Sequence, residues 1–119
     1  ETKLINSKNY KNVRLVGKVP NNLISNFYAQ SDLLINPSYS EGFPRVILEA
    51  MASNLPVVAF NAGGTKDIVS NESKKFIHSI GDYQKFEKSM MSLIDNRELA
   101  NQIIHENFHV LLQYNYKDF

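Results

Sequence analysis

The sequence predicts an α/β chain in which helices flank a parallel sheet. Three observations carry this reading. Two short apolar runs, Asp32-Leu33-Leu34-Ile35 and Pro56-Val57-Val58-Ala59, have the length of buried strands. An apolar run of helix length, Pro44 to Ala52, lies between them. Two strands joined through a helix form a crossover unit, the connection that parallel strands require. The last third of the chain repeats apolar residues at helical spacing.

Each element has a local cause. Asn36-Pro37-Ser38 ends the first strand. Pro44 suits the first position of the helix, where its missing N–H costs nothing. Val46, Ile47, Leu48, Ala50, Met51 and Ala52 make that helix apolar on nearly every side. It is therefore expected to pack on the sheet and to meet a second surface. Asn54 stands where a helix end wants a left-handed residue. After the second strand, Gly63-Gly64 is either a plain turn before a helix capped by Thr65 or a loop that faces a ligand. Residues 83–95 carry Phe86, Met90, Leu93 and Ile94 at helical spacing. Residues 97–116 carry Leu99, Ile103, Ile104, Phe108, Leu111 and Leu112 in the same way.

Composition narrows the function. The chain has 119 residues, enough for one modest core. Its 13 basic and 12 acidic residues leave a net charge of +1, and no basic stripe points to nucleic acid. Cysteine is absent, which removes disulfides and thiolate chemistry and is compatible with a cytoplasmic origin. No apolar run approaches the length of a membrane span, and none has the pattern of a signal peptide. There is no internal repeat.

Chemistry concentrates in one segment. Glu41 and Glu49 stand with seven residues between them. Glu41 lies in a Gly/Pro loop, where a parallel sheet binds ligands at the carboxyl ends of its strands. Glu49 lies in the apolar helix, where a carboxylate is costly unless something pairs with it or a polar ligand arrives. The alternative for Glu49 is an ordinary helical ion pair with Arg45, four residues before it. A carboxylate accepts two hydroxyl hydrogen bonds at once, which suits a cis-diol.

Glu41-Gly42-Phe43-Pro44-Arg45-Val46-Ile47-Leu48-Glu49-Ala50 closely resembles the E-x7-E signature of family-4 retaining glycosyltransferases, which have the GT-B fold of two Rossmann-like domains. The flanks agree over roughly residues 12–95. Asn12-Val13-Arg14-Leu15-Val16-Gly17-Lys18-Val19 looks like the strand and loop before that site, and Tyr28-Ala29-Gln30-Ser31-Asp32 like a helix end and the next strand. Asn54-Leu55-Pro56-Val57-Val58-Ala59 and Gly63-Gly64 look like the strand and loop after it. The resemblance implies that Glu41 contacts the donor sugar and acts in catalysis, and that Glu49 binds the nucleotide ribose. Backbone N–H groups of Phe43, Arg45 and Val46 would hold the diphosphate beside Gly42 and Pro44, since a helix N-terminus is positive and has free donors. Gly17-Lys18-Val19 resembles the segment that meets the base.

The resemblance further implies transfer of a sugar, with retention, from a nucleotide-sugar to a saccharide or lipid-linked acceptor in surface polysaccharide or glycoconjugate synthesis. No metal or other cofactor is expected. The 119 residues are expected to form part of the C-terminal, donor-binding domain, with C-terminal helices at about 83–116. The acceptor domain, two central strands and the basic pair that holds the diphosphate would lie outside this chain. Lys18, Arg45 and Lys66 could supply positive charge, but none matches that pair. Residues 1–11 would be a frayed helix end, and strand 13–17 would be parted from its neighbours. The tail from Tyr114 to Phe119 would be exposed. The expected location is cytoplasmic, with any membrane-surface contact made through the absent domain.

Two other classes remain. A non-catalytic nucleotide-sugar-binding module would pair with a separate acceptor-domain chain. A zinc hydrolase would use His105-Glu106-Asn107-Phe108-His109, a literal H-E-x-x-H match that lacks a third ligand and a cleft. A solvated helix face with two histidines explains that match better. His78, near a strand end, reads as structural.

Overall fold

A computed structural model describes residues 11–40, 42 and 44–113. Three strands form one sheet, β1 (Leu34–Asn36), β2 (Val57–Phe60) and β3 (Ile77–His78), in that spatial order. Both pairings are parallel, with Ile35 opposite Val58 and Phe60 opposite His78. The helices are α1 (Asn21–Ala29), α2 (Arg45–Ala52), α3 (Thr65–Ile68), α4 (Tyr83–Asp95) and α5 (Arg97–Leu111), with a 3-10 turn at Glu72–Phe76. The predicted α/β architecture is therefore present, and β1-α2-β2 is its crossover unit.

β2 organises the core. All four of its residues are buried, and successive side chains of a strand point to opposite faces. Val57 and Ala59 join Ile47, Leu48 and Met51 of α2 on one face. Val58 and Phe60 join Phe76, Phe86, Leu93 and Ile103 on the other. Tyr28 of α1 and Val110 and Leu111 of α5 pack at the margin of the first cluster. α5 also supplies Ala100 and Ile103 to the second cluster, so it serves both faces.

Several elements differ from the sequence expectation. The helix opens at Arg45, and Pro44 is its N-cap, with φ −78° and ψ 68°. α2 is also less uniformly covered than its composition suggests. Arg45, Val46 and Ala52 are exposed and Glu49 is half-buried, which makes one open stripe along the helix. Ile47, Leu48, Ala50 and Met51 face inward, and α2 does meet a second surface, α5. β1 starts at Leu34 and is a sheet edge among the described residues, so Ile35 is 44% exposed instead of buried.

Residues 13–17 form no strand. Their backbone finds no neighbouring strand among the described residues, and Val13, Leu15 and Val16 are exposed. Residues 1–10 lie outside the described residues. Asn54 is left-handed as expected, with φ 62°, and closes α2. Thr65 is the first residue of α3 instead of its cap, and its hydroxyl donates to the Ala62 carbonyl at 2.6 Å. α4 spans the expected range and is capped by Asp82, which accepts from the Lys85 N–H. Ile94 is nevertheless exposed.

α5 ends at Leu111 and not at 116. Leu112 is 66% exposed, so its own burial does not reward extending the helix. Residues 114–119 lie outside the described residues.

A polar side chain ties α5 to the body of the fold. Asn107 is fully buried. Its Oδ1 accepts the Ser70 N–H at 2.9 Å, and its Nδ2 donates to Ser73 Oγ at 3.1 Å. Ser70 Oγ in turn accepts the Ser73 N–H at 3.2 Å. Every buried member is thus satisfied, as a low-dielectric interior demands. Asn107→Ala removes both partners and strands buried polar groups. Urea unfolding of the variant should show a loss of about 2–4 kcal/mol; a loss no larger than that of an exposed-site control would show that the network is dispensable.

Candidate functional site

All three strands run in one direction, so their carboxyl ends share one rim. Three connections leave that rim: residues 37–44 after β1, 61–64 after β2 and 79–82 after β3. The first is the loop that precedes α2. Within it, Ser38 Oγ donates to Asn36 Oδ1 at 2.7 Å. Tyr39 reaches across the rim, where its hydroxyl lies 2.8 Å from that of Tyr83 at the start of α4. Phe60, the last residue of β2, packs edge-on against both rings, at 5.8 Å and 5.2 Å between centroids. The hydrogen bond to Tyr39 is the main reason that the Tyr83 hydroxyl titrates above its ordinary range. An aromatic bridge therefore spans the rim from the first loop to the third.

Glu41 and Phe43 of the first loop lie outside the described residues. Gly42 is exposed and Pro44 is buried. Among the described residues no side chain caps α2, although Asp82 and Asn96 cap α4 and α5. α1 and α3 are also without a side-chain cap. The first donor used inside α2 is the Ile47 N–H, which bonds the Pro44 carbonyl at 3.1 Å. The N–H groups of Arg45 and Val46 precede it at the open end. Such donors, with the helix dipole behind them, favour an anion.

Glu49 lies one turn along the same helix, half-buried beside the exposed Arg45 and Val46. Its expected alternative, an ion pair with Arg45, does not form; among the described residues the only ion pair joins Lys85 to Asp82. The Glu49 charge instead acts on Tyr28 of α1. Burial first, and this carboxylate second, push the Tyr28 hydroxyl above its ordinary range. Glu49 is thus a half-buried residue of α2 close enough to Tyr28 of α1 to act on its hydroxyl.

The structure does not join every expected site residue. Gly17 takes a left-handed turn at φ 77°, which favours glycine. Lys18 is exposed and Val19 half-buried. Among the described residues no hydrogen bond or ion pair links Gly17, Lys18 or Val19 to α2. Gly63 and Gly64 are both left-handed, and the Lys66 N–H beyond them donates to Asn61 Oδ1 at 2.9 Å. That geometry serves a tight turn into α3.

His105 and His109 face each other on an exposed side of α5, with Nε2 atoms 3.2 Å apart. No group of three His, Cys, Asp or Glu side chains among the described residues could hold a metal ion. No described helix is long and apolar enough to cross a membrane.

His78 was expected to be structural, and it ends β3 with Nε2 2.6 Å from Ser89 Oγ. The sequence carries no signal for this contact, because Ser89 is a helix residue brought near only by the fold. Burial lowers the His78 pKa; Asp82 opposes that shift, while Lys85 and Lys66 reinforce it.

The family model described as "Glycosyl transferases group 1" matches residues 1–109. An uncharacterized glycosyltransferase of Haemophilus influenzae is 37% identical over 83 residues, 69% of this chain and 24% of that protein. The UDP-Gal:alpha-D-GlcNAc-diphosphoundecaprenol alpha-1,3-galactosyltransferase of Escherichia coli is 33% identical over 78 residues, 66% of this chain and 20% of that protein. The capsular polysaccharide biosynthesis glycosyltransferase CapM of Staphylococcus aureus is 33% identical over 79 residues, 66% of this chain and 21% of that protein. The chain spans about a quarter or less of each of these relatives.

The lowered His78 pKa has a consequence for stability. The unfolded chain takes up the proton at about pH 6.5, whereas the folded chain resists it. Stability should therefore be full above that pH and decline as pH falls toward the folded value. Replacing His78 with Gln keeps a partner for Ser89 and removes the titration. Unfolding free energies measured in urea from pH 7.5 to 5.0 should fall less steeply for the variant; equal slopes would mean that His78 titrates alike in both states.

Proposed function

The chain belongs to the glycosyl transferases group 1 family, and from that membership we propose that it is a donor-binding part of an enzyme that moves a sugar from a nucleotide-sugar to an acceptor with retention. The motif Glu41 to Glu49 is read as the E-x7-E signature of family-4 enzymes. One observation supports this reading above the rest: among the described residues α2 begins without a side-chain cap on the rim where the parallel strands end, and one turn later it carries half-buried Glu49 with no ion-pair partner. A positive helix end suits a diphosphate. A carboxylate beside it suits the two hydroxyls of a ribose.

The chemistry then follows from placement. When the bond between sugar and diphosphate breaks, negative charge grows on the leaving group. The Arg45 and Val46 N–H groups would stabilise that charge because they are oriented before the reaction starts, and the Phe43 N–H is proposed to join them. Glu41 would face the reacting sugar and Glu49 the nucleotide. Gly17-Lys18-Val19 would border the base. This part of the protein needs no metal for these roles. The acceptor is proposed to be a saccharide or a lipid-linked saccharide in surface polysaccharide or glycoconjugate synthesis, as in the relatives named for capsule assembly and for transfer to a diphosphoundecaprenol. Acceptor selection would rest with a second domain.

A calorimetric panel of nucleoside diphosphates tests the Glu49 role. Glu49→Gln should weaken binding by about 1–3 kcal/mol, the scale of one charged hydrogen bond. Unchanged affinity for the free nucleotide would remove Glu49 from the ribose site. Glu41 should behave differently in the intact enzyme. Glu41→Ala should lower kcat far more than it weakens binding of the nucleotide without its sugar, since its partner changes charge only during transfer. Matched losses in both measurements would reduce Glu41 to a binding or structural residue.

A further inference from the structure

The lysines of this chain are scattered in sequence, yet four of them meet in space. Lys66 on α3, Lys74 and Lys75 on the 3-10 turn and Lys85 on α4 line one hollow of about 320 Å³ together with His78 and Asp82. The hollow lies at the carboxyl end of β3, on the opposite side of β2 from β1 and its loop. Four lysines face one aspartate there, while the whole chain is balanced at 13 basic and 12 acidic residues. Four of the 13 basic residues therefore meet at one place.

The one carboxylate is already engaged. Asp82 Oδ1 accepts the Lys85 N–H at 3.1 Å to cap α4, and Oδ2 lies 3.9 Å from Lys85 Nζ. Lys66, Lys74 and Lys75 have no carboxylate within ion-pair distance among the described residues. Lys75 instead places its ammonium 5.4 Å from the centre of the Phe76 ring. A solvated helix face would spread its charges along one element. Here three separate elements converge; Lys66, Lys75 and Lys85 are exposed, so water and salt screen their mutual repulsion in part, and a bound anion relieves it further. His78 forms part of the wall, and the nearby lysines disfavour its cation.

We propose that this lysine-lined hollow binds a phosphoryl group, at a place distinct from the loop before α2. The chemistry selects the ligand class. A single carboxylate would leave most of the local charge unmatched, whereas a phosphoryl group offers up to two charges and three acceptor oxygens in a compact volume. Lysine binds phosphate as a point charge and needs no planar geometry. Nucleic acid requires an extended basic track, and this charge is confined to one hollow. The phosphoryl group belongs either to a free phosphate ester or to a lipid headgroup. The inference does not rest on the donor-site reading.

His78 provides the readout, because an anion among the lysines must make its cation easier to form. The imidazole resonances of the full chain are followed by NMR against pH, in sodium phosphate, in sodium pyrophosphate and in sodium chloride at matched ionic strength. Phosphate and pyrophosphate should move the His78 titration to higher pH with a saturable dependence, while His105 and His109 follow the chloride control. Lys66→Gln and Lys85→Gln should each weaken binding about threefold, and the double variant about tenfold. Lys66→Arg should retain it, which separates lost charge from lost folding. Cosedimentation with phosphatidylcholine vesicles, with and without phosphatidic acid, assigns the source. Lysine-dependent capture only with phosphatidic acid points to a headgroup, and NMR binding without capture points to a soluble ester. The proposal is overturned if His78 titrates alike in phosphate and chloride, if all three histidines shift together, or if the lysine variants bind unchanged.

Discussion

The fold depends on the burial of β2 from both sides. Val57 and Ala59 close one cluster, and Val58 and Phe60 close the other. Burying each Val or Phe side chain contributes about 1.5–3 kcal/mol before the entropy of ordering the chain is set against it. β1 and β3 are short and take their positions from this strand. A one-residue slip of β2 would turn Phe60 to the opposite face and out of its aromatic cluster.

That register also places the candidate rim. It puts Asn36, Phe60 and His78 near one end of the sheet, so loops distant in sequence become neighbours. The two anion-directed features on the rim are physically different. The α2 end offers backbone donors and a helix dipole, which have fixed positions. The hollow beside β3 offers lysine ammonium groups, whose positions adjust to the ligand. Asn107 supports the second feature from below, since it fixes Ser70 and Ser73, just before the segment that carries Lys74 and Lys75.

Much of this was legible in the sequence, and the remainder has identifiable causes. α2 and β2 were readable because Pro44, Asn54 and Pro56 punctuate apolar runs of distinct length. α4 was readable from the spacing of Phe86, Met90 and Leu93. The segment 13–17 has the composition of a strand, but a strand is defined by a partner, and composition does not supply one. β3 is only two residues long, too short for any periodicity. Asn107 lies inside the histidine motif, and nothing local marks it as buried; its polar partners are two serines more than thirty residues away. Glu49 was singled out as a carboxylate in an apolar helix. The structure reduces that anomaly, since the carboxylate lies on an open stripe, but it also removes the ion pair with Arg45 that would have explained it. The lysine hollow was invisible because its members belong to three elements.

The hydroxyl contact between Tyr39 and Tyr83 gives the loop before α2 an optical label of its own. The chain contains no tryptophan, so tyrosine supplies the long-wavelength part of its near-ultraviolet signal; of the described tyrosines, Tyr28 packs beside the first core cluster while Tyr39 and Tyr83 meet at the rim. Two phenols that share a hydrogen bond and both rest on Phe60 are held in an asymmetric environment. A ligand that draws the loop toward α2 must stretch this contact or pull the start of α4 with it. In either case the tyrosine band changes shape, so the loop's position becomes measurable by circular dichroism in the unmodified protein.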